Sequence, residues 1–97
     1  MSYEYPFKDA TDELKLMVWL KADPVEGKIT LEWRKDVCGK EIKYEDHANT
    51  DSEYGWEIDH IHPLEKGGHD DMDNLQALNW KTHRAKGDNH PWDCSMA

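Results

Sequence analysis

GWEIDHIHPLEKGGHDDMDNLQALNWKTHRAKG, residues 55–87, is the stretch on which the reading of this chain turns. Its first piece, GWEIDHIHP, is a short apolar-rich strand halted by Pro63, which has no amide hydrogen to donate to a ladder. LEKGGHDDMDN then reads as a glycine-containing loop and LQAL as a second short strand. Asn79 fits the N-cap of a helix whose interior is WKTHRAK and whose end is marked by Gly87 at C′. Strand, loop, strand and a helix of about two turns make the unit. Two-turn helices and two-stranded ribbons are unstable alone. A metal bridging strand and helix would supply the missing stability.

Upstream, DELKLMVWLK (Asp12 to Lys21) places Leu14, Met17, Val18 and Lys21 at helical spacing, with Thr11 as N-cap. The helix is expected to stop before Asp23-Pro24, since the residue ahead of a proline is pushed out of the α region. KITLEW (Lys28 to Trp33) alternates Ile29, Leu31 and Trp33 against Thr30 and Glu32, which predicts a strand. DVCGKEI (Asp36 to Ile42) reads as a tight turn at Gly39 between two extended pieces, and the acidic Tyr44 to Tyr54 as a loop. There is no repeat, low-complexity tract or linker. Residues 1–97 are therefore expected to form one α+β domain. It would have a helical extension over about 1–32, short strands, and the strand–strand–helix core over about 55–88.

Composition narrows the classes. Five tryptophans argue for a folded chain, because disorder is aromatic-poor. The longest apolar run, Leu16 to Leu20, is far too short for a bilayer, and MSYEYPFKDATDE lacks the pattern of a signal peptide. The expectation is a cytoplasmic protein with no membrane contact. Cys38 and Cys94 have no second cysteine at CxxC spacing, which removes a four-cysteine zinc site. In a reducing compartment both are expected as free thiols. The net charge of −9 speaks against tight, sequence-independent binding of nucleic acid. Trp80 to Gly87, however, carries Lys81, Arg84 and Lys86 with no acid, and a divalent cation would add two positive charges where they matter.

The residue types in 55–87 suit phosphodiester hydrolysis, which needs an activated water, a cation on the scissile phosphate and a means of aligning them. An imidazole in general titrates near neutral pH, which makes His60 a candidate general base. Asp59 offers a hard oxygen and His83 a nitrogen to a divalent ion. Arg84 and Lys86 suit phosphate oxygens, and Asn74 carries both donor and acceptor for pinning the loop that orients His60.

EIDHIHPLEKGG, then DNLQAL, then a histidine followed by RAKGD, resembles the HNH nuclease motif, the ββα-metal finger. WRKDVCGKEI and GWEIDH add a likeness to a small bacterial and phage-type branch. The likeness runs over roughly Trp33 to Asp88 and is strongest from Trp56 onward. It implies Asp59 and His83 as metal ligands, His60 as general base and Asn74 as the residue orienting it. It also implies products with a 5′-phosphate and a 3′-hydroxyl. The ion implied is Mg²⁺, with Mn²⁺, Ni²⁺ or Zn²⁺ as alternatives given a histidine ligand. Many relatives carry two CxxC pairs in a zinc knuckle. Only Cys38 stands near such a position here, so stability is expected from packing. The implied substrate is DNA, with RNA left open, acted on by a monomer, a homodimer or a subunit of a larger packaging or restriction assembly.

A regular strand would put Asp59 on one face and His60 with His62 on the other. The strand must therefore end or twist near Ile61, or His62 replaces its neighbour as ligand or base; otherwise His62 touches substrate. Plainer readings hold elsewhere: Trp56 and Trp80 as core, Lys81 as a solvated helix face, Gly67-Gly68 as loop geometry. His47, His69 and His90 read as surface residues, and Asp70, Asp71 and Asp73 as a solvated loop. The rivals to a nuclease are a non-catalytic module that keeps the finger as a metal-stabilised scaffold and an accessory subunit that needs a basic partner.

Overall fold

A computed structural model of the chain describes residues 4–96. Helix α1 (Asp12–Trp19) begins at Thr11, whose hydroxyl accepts the Leu14 amide at 3.1 Å, and ends before Asp23-Pro24. Strands β1 (Asp23–Pro24), β2 (Trp33–Lys35) and β3 (Glu41–Lys43) form one antiparallel sheet. The β2–β3 turn passes through Gly39 at φ +84°, a left-handed conformation that favours glycine. Strands β4 (Trp56–His60) and β5 (Leu75–Asn79) pair antiparallel with Trp56 opposite Asn79 and His60 opposite Leu75. Helix α2 (Trp80–Lys86) follows β5 without a break. Asn79 caps it through Oδ1 on the Lys81 amide at 2.9 Å, and Gly87 ends it. The α+β architecture expected from the sequence is the one observed.

The alternating stretch Lys28 to Trp33 does not form a strand over its length. Residues 25–32 fold into turns closed by Lys28 N–H on the Val25 carbonyl and Trp33 N–H on the Ile29 carbonyl, and only Trp33 to Lys35 extends. Ile29 and Leu31 are exposed, so the alternation has no buried face to act on. Trp19 and Trp56, both fully buried with ring centroids 5.3 Å apart, centre a core with Val18, Ile42, Ile58, Leu75 and Ala77. At about 25 cal/mol per Å² over some 150–250 Å², each such indole contributes about 4–6 kcal/mol of burial. Their polar ends are satisfied: Trp19 donates to the Thr30 carbonyl and Trp56 to that of Tyr44.

Two features join the hairpin sheet to the β4–β5–α2 unit. Buried Asp36 accepts the Cys38 and Lys40 amides on Oδ1 and the Asn79 amide on Oδ2, while Asn79 Nδ2 donates to the carbonyls of Glu41 and Glu53. The second corrects the expectation of free thiols: Cys38 is disulfide-bonded to Cys94. A separation of 56 residues hides a pairing that the fold makes, because Cα–Cα is 5.4 Å. Closing a loop of that size removes unfolded-state entropy worth about 4 kcal/mol in the chain-entropy model. Stability thus comes from a cross-link as well as from packing.

Candidate active site

Glu57 and Asp59 project from the same face of β4, two residues apart, and α2 lies across that face. His83 sits between the two carboxylates. Its Nδ1 is 2.7 Å from Glu57 Oε1 and its Nε2 is 3.3 Å from Asp59 Oδ1. Gln76, opposite Asp59 on β5, donates to Oδ2 at 3.0 Å. Arg84 holds Glu57 with both terminal nitrogens, the second at 3.1 Å. Lys86, expected at a phosphate, is instead almost wholly buried. Its ammonium stands 3.2 Å from Asp59 Oδ2 and donates to the His60 carbonyl at 3.1 Å. The i, i+3 spacing that puts His83 and Lys86 on one face of α2 brings both of them onto Asp59.

The electrostatics follow. Burial opposes the charged form of His83, but its hydrogen bonds to Asp59 and Glu57 outweigh it and raise the imidazole above its ordinary 6.5. Burial also works against ionised Asp59, yet His83, Gln76 and the Lys86 charge hold its carboxyl below the usual range. Glu57 is lowered in the same way, with burial overcome by His83 and Arg84.

β4 ends at His60, and there the chain bends. Asp59 and His60 therefore both line one cleft of about 340 Å³, together with Phe7, Pro63, His83 and Arg84. His60 Nε2 is 2.9 Å from Asp70 Oδ1. An ionised carboxylate only accepts, so Nε2 carries the hydrogen and Nδ1 is left as the basic atom. Asn74 clamps the 61–74 loop from inside. Its Oδ1 accepts the His62 amide at 2.8 Å, and its Nδ2 donates to the carbonyls of His62 and His69. Gly68 is needed for this closure, since a Cβ there would lie 1.9 Å from the His62 carbonyl oxygen. His62 donates Nε2–H to the Lys66 carbonyl and stacks on His90 at 4.1 Å, and the cleft lining passes from His60 to Pro63 without it.

Sequence reasoning missed Glu57, Asp70 and the aromatic residues ahead of α1. Glu57 had a signal, its i, i+2 relation to Asp59. Asp70 had none beyond an acidic loop. His47, read as a surface residue, is half-buried and hydrogen-bonded to Tyr5.

Among the described residues no group of three or more His, Cys, Asp or Glu side chains converges as a ready metal cage. Asp59 and His83 nevertheless fit a shared ion. Two donors each about 2.1 Å from a cation stand about 3.0 Å apart at an octahedral angle and about 3.4 Å at a tetrahedral one. The observed 3.3 Å lies within that range. Glu57 on Nδ1 would serve as the carboxylate partner that orients the imidazole if Nε2 held an ion.

The family model for HNH endonuclease matches residues 36–89, more than half of the chain. No curated protein and no solved structure gave a significant match.

Proposed function

Since the chain belongs to the HNH endonuclease family, we propose that it is a metal-dependent nuclease that hydrolyses phosphodiester bonds in DNA, with RNA a second substrate to be tested. One observation carries the reading: Asp59 and His83, 3.3 Å apart, share a cleft with His60. Asp59 and His83 would hold the divalent ion, which supplies the positive charge that stabilises the phosphorane-like transition state and the leaving oxygen. A hard ion that keeps its waters, Mg²⁺ first and Mn²⁺ next, suits a half-site of two protein ligands, and the histidine also admits Ni²⁺ or Zn²⁺.

His60 acts as general base. Asp70 keeps Nε2 protonated, so Nδ1 takes the proton from the attacking water. Asn74 holds the loop whose two ends flank that histidine. Arg84, with about a third of its side chain exposed beside the cleft, meets a phosphate oxygen while Glu57 fixes its guanidinium. His62, held by Lys66 and His90, is not the base in this reading, and a substrate contact for it is a separate test. The products would carry a 5′-phosphate and a 3′-hydroxyl. Double-strand cleavage would call on two copies of the chain or two successive passes by one.

Plasmid cleavage at low salt, with and without Mg²⁺ or Mn²⁺, tests this. Metal-dependent cutting that is lost in His60→Ala, with the fold intact, is the expected result. Equal cutting by both proteins would remove His60 from the chemistry. The charge of −9 favours one second reading, an accessory subunit that cuts only beside a basic partner. A wild type that binds metal but does not cut alone would support it. The compartment is open to the same kind of test. The cytoplasmic setting expected from the sequence meets a disulfide, and such bonds persist in oxidising surroundings. Thiol labelling of freshly isolated protein distinguishes the two.

A further inference from the structure

Residues 4–10 lie well ahead of the family-matched segment, yet two of them, Pro6 and Phe7, line its cleft. Two successive turns, Lys8 N–H to the Tyr5 carbonyl and Ala10 N–H to the Phe7 carbonyl, fold them into a short strap. A tyrosine hydroxyl fastens the strap to β4. Tyr5 Oη accepts the amide hydrogen of Ile58 in β4 and stands 2.9 Å from His47 Nε2. Burial of His47 brings its imidazole down to about 4, so it is neutral and accepts the phenolic hydrogen. Strand amide, phenol and imidazole thus form one directed chain of hydrogen bonds, and the strap is pinned two residues before His60.

Phe7 follows two residues after the pin. Its ring centroid lies 5.3 Å from that of His60 with the planes tilted by 41°, within the range of a favourable aromatic pair. Pro6 and Phe7 share the cleft lining with Asp59, His60 and His83. A second restraint on the His60 ring is Asp70, whose side chain is 71% exposed, and exposed ion pairs hold geometry weakly.

We infer that Phe7 is a positioning residue for His60, and that Tyr5 is the anchor that keeps it there. The strap fixes the plane of the imidazole, so that the orientation donating Nε2–H to Asp70 persists. Small misalignments of a reacting group are costly in rate. The inference rests on His60 being the base, but the ring's orientation can be read without turnover.

The test uses the full chain and three variants: Phe7→Leu, which refills the volume without a ring, Phe7→Tyr, which keeps the ring, and Tyr5→Phe, which removes the pin. Single-turnover cleavage of a duplex oligonucleotide with Mg²⁺ is paired with ¹⁵N imidazole spectra of His60. Phe7→Leu should lower the cleavage rate at saturating substrate about tenfold, with KM within about twofold. It should also turn the single Nε2–H tautomer into a mixture. Phe7→Tyr should recover both, and Tyr5→Phe should fall between. An unchanged rate and tautomer in Phe7→Leu would overturn the inference, as would equal losses in Phe7→Leu and Phe7→Tyr. A wild type that does not cut would count against the nuclease reading alone, and the imidazole spectra would still decide the role of Phe7.

Discussion

The two halves of the cleft are built on opposite plans. On the α2 side, Glu57, Asp59, His83 and Lys86 are buried or nearly so and interlocked by charge, and each carboxylate answers to at least two donors. On the loop side, His60 is held by an exposed aspartate, a tilted phenylalanine ring and a loop closed by Asn74. Removing one member of a buried charged group leaves another charge uncompensated, which is strongly destabilising. Removing an exposed partner costs little stability. The α2 side of the site therefore belongs to the folding core, whereas the loop side is adjustable and its changes should appear in rate before stability.

The largest break in that contrast is Asp59→Ala. It strands Lys86 and, in the proposed mechanism, removes a metal ligand, so metal-dependent cleavage should fall on the order of 10³-fold or more, and stability by about 3 kcal/mol. Cleavage assays and urea unfolding would register both losses. Glu57→Gln keeps the shape but loses the charge that orients His83, so metal affinity or activity should drop about 10–100-fold. Calorimetric titration with Mn²⁺ measures it, and unchanged affinity would remove Glu57 from the metal half.

Acidity gives a graded version. His83 is raised above 6.5, so its imidazolium helps the metal-free fold below that pH, and the contribution is lost as pH climbs through the raised value. A metal ion held by His83, as proposed, would have to displace the Nε2 proton. Its affinity should then increase with pH by up to about tenfold per unit until His83 is neutral. Titrations with Mn²⁺ at several pH values above 5 would show the slope. Asp59 and Glu57, both lowered, contribute at the acid end in the opposite sense: their stabilisation is present above their ordinary 3.8 and 4.5 and fades as pH falls through the lowered values. The smallest effect belongs to Asp70→Asn. Stability should change by less than about 1 kcal/mol because the pair is exposed, while the cleavage rate falls about tenfold, the low end for an orienting partner. A loss of rate matched by a loss of fold would erase the distinction between the halves.

The finger was legible because its signals are local. Pro63 stops a strand, Asn79 caps a helix and Gly87 ends it, and each acts within a few residues. The conflict between Asp59 and His60 on one strand was also visible beforehand, and its resolution is a strand that stops at His60. What the sequence hid depends on distant pieces meeting. Lys86 reads as a surface cation until β4 is laid against α2, and Asp70, exposed though it stays, has no visible partner until Gly68 lets the loop fold back onto His60. Tyr5 and Phe7 have no periodicity that points to a cleft more than 50 residues away. The alternation at Lys28 to Trp33 misled for the converse reason, since a two-residue partner strand leaves most of it nothing to pair with.

The bond between Cys38 and Cys94 has a topological consequence. It closes a covalent ring around β3, β4, β5 and α2, and both halves of the cleft except the strap lie inside it. A protease that nicks the exposed 61–74 loop once would open the ring without dividing the molecule. The nicked protein would migrate as one piece without reductant and as two fragments with it. The finger can thus survive a cut through its own loop as a single linked body.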